Sequence, residues 1–386
     1  MYMTRVFHSV GQGAFYTECF SIRKNDDEID ITIVYDCGSK LGGKYVEKQI
    51  KRNFKKEQEI HALFISHLHE DHINGIPSLI EHCNVKRIFF PLISSENRFL
   101  LKAIYKSVVA DENLQEFVIE FIDSPVGAIK HLLNKRDRRD HTTIELIGVK
   151  EAHGENDLTS THDYEGVEVF NSGENAMDKI DDTLSSFWEY IPYNFKQIER
   201  IEELKEELRK NKVSLESLEK WDVEAVKLAR KAYEKLEGGL NTNTMTLYSG
   251  NINSCRCSDY FWMKCVGSNI DSISTCFFRM GCLYMGDYNA KKSAEFAELK
   301  TKYQAYWNNI SCIQVPHHGS KKNFNADLIE PGRICVISAG ENNKYGHPNS
   351  EVINAICLRR GYPLIVTEET NSVMFLCNNQ ICRLIY

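Results

Sequence analysis

The chain has 386 residues, 42% of them hydrophobic and 11% aromatic, a composition that supports a sizeable core and excludes wholesale disorder. Lys and Arg number 47 against 54 Asp and Glu, a net charge of −7, so the basic excess of a constitutive DNA coat protein is absent and only local basic patches remain. No apolar run approaches the roughly 18–20 residues that span a bilayer, and Met1-Tyr2-Met3-Thr4-Arg5-Val6-Phe7-His8 holds no signal-peptide core; a soluble, cytoplasmic protein with no membrane partner is expected.

The first third alternates strand and helix signals. Residues 4–10, 14–22 and 29–36 predict strands, the first turn being Gly11-Gln12-Gly13. Residues 44–58 predict a charged surface helix, 62–66 a buried strand, 76–83 a helix and 85–93 the next strand. Such alternation argues for a layered α/β domain. From Met177 to Leu236 the pattern turns helical: Phe195, Ile198, Ile201, Leu204 and Leu208 recur about one turn apart, and Leu215, Leu218, Val226, Leu228 and Leu236 follow a break at 211–214. Bounded by Gly173 and by Gly238-Gly239, this predicts a helical hairpin inserted at residues 173–240, either a solvated pair or a device for docking a protein partner. Strand signals return at 244–248, 273–279, 282–285, 312–315, 334–338, 364–367 and 373–377, with a helix at 350–360. Residues 1–172 and 241–386 are therefore expected to be the two halves of one α/β domain, two sheets with helices outside.

The 13 cysteines are odd in number and favour apolar, strand-like positions such as Cys276, Cys282, Cys312 and Cys335, the pattern of reduced core thiols. Cys255, Cys257 and Cys265 form a C-x-C-x₇-C group whose spacing fits no common zinc module, so they read as loop thiols.

Ile65-Ser66-His67-Leu68-His69-Glu70-Asp71-His72-Ile73-Asn74-Gly75 carries the chemistry. An H-x-H-x-D-H frame arises by chance in a chain of this length on the order of once per thousand. At the end of a strand, residues 67 and 69 project to one side, so two imidazoles can grip one metal; Asp71 and His72, entering the next helix, can grip a second. Imidazole with carboxylate suits zinc, manganese or iron.

That frame, with Asp36-Cys37-Gly38 at the end of an upstream strand, Gly286-Asp287 and His317-His318-Gly319-Ser320, resembles the metallo-β-lactamase fold superfamily. More narrowly, the chain is similar to the metallo-hydrolase domain of ComEC-type competence proteins and their free-standing relatives. The matching pieces are Val10-Gly11-Gln12-Gly13, Asn243-Thr244, Tyr284-Met285-Gly286-Asp287, Val315-Pro316-His317-His318-Gly319-Ser320, Ile337-Ser338-Ala339-Gly340 and Asn343-Lys344-Tyr345-Gly346-His347-Pro348. They lie in matching order across residues 1–90 and 241–386. The resemblance implies a four-layer αββα sandwich and a metallo-hydrolase holding two divalent ions, zinc or manganese. It implies that His67 and His69 bind the first ion, Asp71 and His72 the second, and that Asp287 bridges them. One of His317 and His318 would complete the second site and the other face the substrate; both assignments stay open, with His318 taken as the ligand. Asp36 would orient a ligand histidine through its free ring nitrogen. Asp71, His317 and His347 are the candidate catalytic groups, His347 facing the scissile bond. Ser9 and Ala14 depart from the pattern, standing where relatives usually carry an aspartate and a small polar residue. A third histidine for the first ion would have to come from His131, His141, His153 or His162.

Two such metals, about 3.5–4 Å apart, would hold a hydroxide between them and bring the pKa of water from about 15.7 toward neutrality. His347 or His317 would protonate or hydrogen-bond the leaving group, typically a contribution of about 10²–10⁴-fold. The expected substrate is a phosphodiester, with nucleic acid first. Lys40, Lys44, Lys48, Lys51, Arg52, Lys55 and Lys56 form one basic run, and Lys130, Lys135, Arg136, Arg138 and Arg139 another. Lys321 and Lys322 follow the H-H-G-S segment, with Ser320 and Asn343 as further substrate contacts. Hydrolysis of a small ester, amide, lactam or thioester is the alternative that the fold equally hosts. A hydrolase effector gated by a partner on the helical insertion, for example in phage defence, is a third.

Overall fold

The computed structural model describes residues 2–24, 27–108, 112–135, 143–152, 164–196, 198–214, 217–218, 223–235, 243–252, 261–265, 273–275, 280–369 and 374–378. In chain order its strands are β1 (Tyr2–Phe7), β2 (Gly13–Lys24), β3 (Asp27–Ser39), β4 (Glu59–Ile60), β5 (Ala62–Phe64), β6 (Asn84–Val85), β7 (Arg87–Pro91), β8 (Glu145–Val149) and β9 (Glu168–Phe170). There follow β10 (Trp188–Lys196), β11 (Asn243–Asn251), β12 (Phe261–Cys265), β13 (Ile273–Thr275), β14 (Gly281–Tyr284), β15 (Ile310–Gln314), β16 (Ile334–Ser338), β17 (Tyr362–Val366) and β18 (Met374–Asn378).

The first sheet has the order β13-β12-β18-β1-β2-β3-β5-β7-β8-β9 and the second β10-β11-β14-β15-β16-β17, while β4 and β6 form a separate pair. Each sheet is antiparallel at one end and parallel at the other: β1, β2 and β3 pair antiparallel, whereas β3, β5, β7, β8 and β9 run parallel. In the second sheet the change falls at β14, which is antiparallel to β11 and parallel to β15. Parallel neighbours need long crossovers, and helices supply them. Gly43–Asn53 links β3 toward β5, Ile76–His82 lies between β5 and β7, Ser293–Lys302 links β14 to β15, and Ser350–Leu358 links β16 to β17. Three helices, Ser95–Val108, Glu112–Asp123 and Pro125–Lys135, fill a stretch for which the sequence reading predicts no element.

The two sheets face each other across a core that includes Phe7, Tyr16, Phe20, Tyr35 and Phe64 from one and Trp188, Tyr190, Leu247, Tyr284 and Val336 from the other. Helices bury the outer face of the first sheet around Val46, Ile50, Leu79 and Leu100, and the outer face of the second around Leu299, Val352 and Ile356. This is the four-layer αββα arrangement expected from the sequence. Among the described residues no helix is long and apolar enough to cross a membrane, and Cys282, Cys312 and Cys335 are buried free thiols.

The predicted insertion at 173–240 is corrected by the structure. Residues 188–196 are not helical; they form β10, the edge strand of the second sheet, paired with β11 over its whole length from Trp188 opposite Asn251 to Lys196 opposite Asn243. Trp, Tyr, Ile and Phe favour the pleated, half-buried surface of a sheet, and an edge strand tolerates Pro192. Phe195, which starts the apparent helical period, belongs to this strand. The helical part is reduced to Ile198–Lys210 and Val223–Lys235, and Gly238-Gly239 lie outside the described residues. Ile201, Leu204, Leu208, Ala225, Ala229 and Ala232 are buried in one cluster with Leu100, Ala103 and Tyr105 of Ser95–Val108. These helices are part of the outer layer over the first sheet, and their apolar faces are spent on it.

One ion pair ties the sheets together. Arg5 of β1 and Glu18 of β2 are 1% and 2% exposed, with Arg5 Nε 2.5 Å from Glu18 Oε1. Tyr190 and Ser249, from the facing sheet, donate to Glu18 Oε2 at 2.5 and 2.6 Å, and Tyr284 donates to Oε1 at 2.7 Å. A buried carboxylate is tolerable only when its lone pairs are filled this way. Glu18→Ala is expected to lower the unfolding free energy by about 3–5 kcal/mol, because it strands the guanidinium. The double variant Arg5→Met/Glu18→Leu should not recover wild-type stability, since it leaves three hydroxyls without their acceptor, each costing about 1–3 kcal/mol. Urea melts of the two variants beside the wild type test this, and a double variant as stable as wild type would contradict it.

Candidate metal centre

β5 ends at Phe64 and the motif runs on through Ser66, His67 and Leu68 to the single-turn helix Glu70–Ile73. Its geometry is set by Asp36, a fully buried carboxylate near the end of β3 whose backbone is left-handed at φ 54°. Oδ1 accepts the Ser66 backbone N–H at 2.6 Å; Oδ2 accepts the Ser66 hydroxyl at 2.6 Å and His72 Nδ1–H at 2.7 Å. β3 approaches the motif this closely because residue 38 is glycine: a Cβ there would lie 2.5 Å from the carbonyl carbon of Asp71 and 2.5 Å from the nitrogen of His72.

These bonds fix which ring nitrogen of each histidine faces inward. The Ser66 hydroxyl gives its one proton to Asp36, so its lone pair takes the Nδ1–H of His67 at 2.9 Å. His72 donates Nδ1–H to Asp36, and His318 donates Nδ1–H to the Ser338 carbonyl at 2.9 Å. All three rings therefore turn Nε2 toward the same space, the arrangement of an imidazole held for a metal by a partner on its other nitrogen.

The remaining donors come from the second half of the chain. Asp287 follows β14 and Gly286 and is buried, its Oδ1 3.2 Å from His72 Nε2 and its Oδ2 3.7 Å from His67 Nε2. His318 Nε2 lies 3.2 Å from Asp71 Oδ2 and 3.9 Å from Asp287 Oδ1. His69 Nδ1 is 2.7 Å from Asp71 Oδ1. The pair His317-His318 takes left-handed backbone at φ 50° and 55°, held by His317 N–H to the Gly286 carbonyl at 3.0 Å and by Ser320 N–H to the His317 carbonyl at 2.9 Å. Strain of this kind persists where the surroundings over-determine it, which is common at functional sites.

The donors fall into two groups, His67, His69 and Asp287, and Asp71, His72 and His318, within each of which ligand atoms lie within 4.8 Å of one another. His67 Nε2 and both carboxylate oxygens of Asp287 are buried without a hydrogen bond. Leaving such atoms bare costs about 1–3 kcal/mol each, or more for a charge, and a cation placed among them would satisfy them. The charges already lean that way. Burial would raise the Asp287 carboxyl, but His317, His72 and His67 outweigh it and hold the group well below the usual range. Burial would likewise raise Asp71, and Lys40, His69 and His318 hold it well below. Burial and the neighbouring His72 push His67 well down, so its nitrogen is available as a lone pair.

Around this centre the other expected residues divide. His317 Nδ1 is 3.8 Å from Asp287 Oδ2, and its ring is 5.9 Å from that of half-buried His347. Burial, with the charge of His318, lowers His347 to about 4. Ser320 is buried beside the His317 turn. Asn343 uses its carboxamide inside its own loop, donating to the carbonyls of Gly340 and His347 and accepting His347 N–H at 2.9 Å. Lys321 is exposed and pairs with Glu351 at 2.8 Å; Lys322 is exposed too. His131 pairs with Glu120 on the outer helices at 3.0 Å, away from the motif, while His141, His153, His162, Arg136, Arg138, Arg139, Cys255, Cys257 and Cys276 lie outside the described residues.

Three groups at the centre were not assigned there from sequence. Lys40 counts there only as a member of a surface run, yet its Nζ is 3.2 Å from Asp71 Oδ1 and 3.9 Å from Glu70 Oε2, its side chain 28% exposed. Ser66 relays between Asp36 and His67, and its only sequence signal is its place beside the motif. The Ser338 carbonyl is backbone and carries no side-chain signal.

Residues 17–157 match the family model of the metallo-β-lactamase superfamily. Ribonuclease J of Mycoplasma genitalium is 28% identical over 145 residues, 36% of this chain and 24% of that protein. Ribonuclease J of Mycoplasma pneumoniae is 31% identical over 130 residues, 32% of this chain and 21% of that protein. ComE operon protein 3 of Bacillus subtilis is 28% identical over 71 residues, 18% of this chain and 9% of that protein. The chain thus spans about a quarter or less of the length of these relatives. The match runs from β2 through the motif and the helices of the outer layer to beyond β8, and over residues 17–157 the chain is similar to the metallo-β-lactamase superfamily.

Proposed function

We propose that the chain is a metal-dependent phosphodiesterase that cleaves nucleic acid. One observation carries the metal-dependent part. His67, His72 and His318 each have one ring nitrogen occupied by Ser66, Asp36 or the Ser338 carbonyl, and each turns the other toward the buried carboxylates of Asp71 and Asp287. His67, His69 and Asp287 would hold one divalent ion and Asp71, His72 and His318 a second, with Asp287 shared. Imidazole and carboxylate donors suit zinc or manganese. Bound there, such ions supply Lewis acidity toward a phosphoryl oxygen and ease the ionisation of water.

The protein's own groups do the rest. Asp36 holds the rings in register, so that little reorganisation accompanies binding. His347, lowered to about 4, is neutral at pH 7 and acts by donating a hydrogen bond to charge developing on the substrate, not by delivering a proton from imidazolium. Lys40, reaching from solvent to Asp71, adds positive charge at the mouth of the centre. The choice of nucleic acid as substrate is supported by this cation and by the two relatives named Ribonuclease J.

Two measurements test the reading. The purified protein is expected to carry two equivalents of zinc or manganese and to cleave nucleic acid; chelation should abolish cleavage, and the divalent ion restore it. Asp71→Ala/His72→Ala should lose both metal and cleavage, and a metal-loaded wild type inert toward every single- and double-stranded nucleic acid would overturn the nuclease reading. Separately, Asp36→Asn is expected to weaken metal binding by about 10–100-fold while the protein remains folded. Metal titration of a folded Asp36→Asn variant with wild-type affinity would remove Asp36 from the positioning role.

A further inference from the structure

The loop after β16 sets an exposed aromatic ring beside the centre. The carboxamide of Asn343 bonds Gly340 and His347, Glu341 N–H donates to Glu368 Oε2 at 3.0 Å, and Asn349 Nδ2 donates to the Gly346 carbonyl at 3.0 Å. Clamped at its base, the loop leaves Lys344, Tyr345 and Gly346 exposed at its tip. Tyr345 is 50% exposed. Its ring lies near-parallel to that of His347, at 25° with centroids 5.9 Å apart, and His347 in turn stands edge-on to His317 at 5.9 Å. His317 reaches Asp287 at 3.8 Å. Two ring-to-ring steps therefore join a solvent-facing aromatic surface to the buried carboxylate. The ammonium of Lys344 sits 5.2 Å from the Tyr345 centroid.

We propose that Tyr345 and Lys344 form a nucleotide platform, on which an unpaired base stacks against Tyr345 while Lys344 takes the adjoining phosphate, and that the substrate is therefore single-stranded. The inference rests on the nuclease reading above and narrows its substrate class. A planar π-face beside a mobile cation matches the two halves of a nucleotide, and every base has a face to offer, so the contact is tolerant of sequence. In a duplex the bases are stacked on one another and their faces are closed to such a ring. Lys344 is no obstacle: an exposed cation–π contact is weaker than base stacking, and the ammonium swings to phosphate as the base arrives. The clamp holds the ring in place before binding, so little side-chain freedom is lost on contact.

The test compares cleavage of oligothymidylate, an abasic strand of the same length and a duplex by wild type, Tyr345→Ala, Tyr345→Leu and Tyr345→Trp, all with metal content and melting temperature matched to wild type. Leu keeps bulk over His347 without a π-face, which guards against a purely structural loss. The expected result is a KM for oligothymidylate raised about 5- to 140-fold in the Ala and Leu variants and kept near wild type in Trp, with cleavage of the abasic strand unaltered. An equal loss on the abasic strand, a Leu variant as good as Trp, or a wild type that prefers duplex or ignores removal of the bases would overturn the platform while leaving the nuclease reading intact. A metal-loaded wild type that cleaves no nucleic acid would overturn both.

Discussion

The centre hangs on one buried carboxylate. Asp36 stands where water cannot solvate it, and burial pushes its pKa up against the pull of His72 and Ser66. It is tolerated there because three donors fill its lone pairs, and those same donors fix the chemistry of the site. By taking the protons of His72 and Ser66, it leaves Ser66 as an acceptor for His67, so a single side chain determines the outward face of two imidazoles. That arrangement depends in turn on the parallel pairing of β3 with β5, Tyr35 opposite Phe64, which brings residue 36 to the start of the motif. Removing a Cβ at Gly38 lets the two segments close. The site is thus a consequence of strand register as much as of the motif itself.

The fold concentrates its unusual backbone around the candidate ligands. Of six non-glycine residues with positive φ among the described residues, three are Asp36, His317 and His318. Each such residue costs of the order of 1–3 kcal/mol, and two in succession would unwind on their own. They are held by bonds to Gly286 beyond β14, to Ser66 beyond β5, and to Ser320 within the His317 turn itself. The interior between the sheets provides the rigidity for this. There Glu18 gathers Arg5, Tyr190, Ser249 and Tyr284, so that β1, β2, β10, β11 and β14 meet on one carboxylate and the rims of the sheets keep their separation.

What could be read from sequence follows from how local each feature is. His67, His69, Asp71 and His72 are legible because ligand chemistry restricts both residue type and spacing within one strand and turn. Asp287 and His317-His318 are legible only through resemblance, since nothing in their own neighbourhoods marks them as partners of a motif more than 200 residues earlier. The relay through Ser66 and the Ser338 carbonyl is illegible: one is a common residue, the other backbone. β10 misleads for a different reason. Its Phe195 happens to fall in phase with Ile198 and Ile201, so a helical period extends back into a strand whose aromatic content argues otherwise. Strand pairing, a contact with β11 some fifty residues on, decides the matter, and that contact has no local trace.

The same distinction governs the charges. Sequence gives basic runs, but a run says nothing of which member faces the centre. In the structure Lys44, Lys48, Lys55 and Lys56 are exposed on or just beyond the outer helix, Lys51 is paired with Glu47 at 2.5 Å, and Lys321 is paired with Glu351. Of the first basic run, only Lys40 touches a carboxylate of the candidate metal centre. Screening makes this difference matter, because at physiological ionic strength the field of a solvent-exposed charge fades over roughly 8 Å. On a chain with a net charge of −7, a polyanion gains little from cations spread over the far face of a helical layer. On the proposed reading, the approach of a phosphodiester would depend on positive charge within a screening length of the candidate centre. Lys40, 3.2 Å from Asp71 Oδ1, meets that condition, and a metal ion held by the buried donors would add the largest local charge of all.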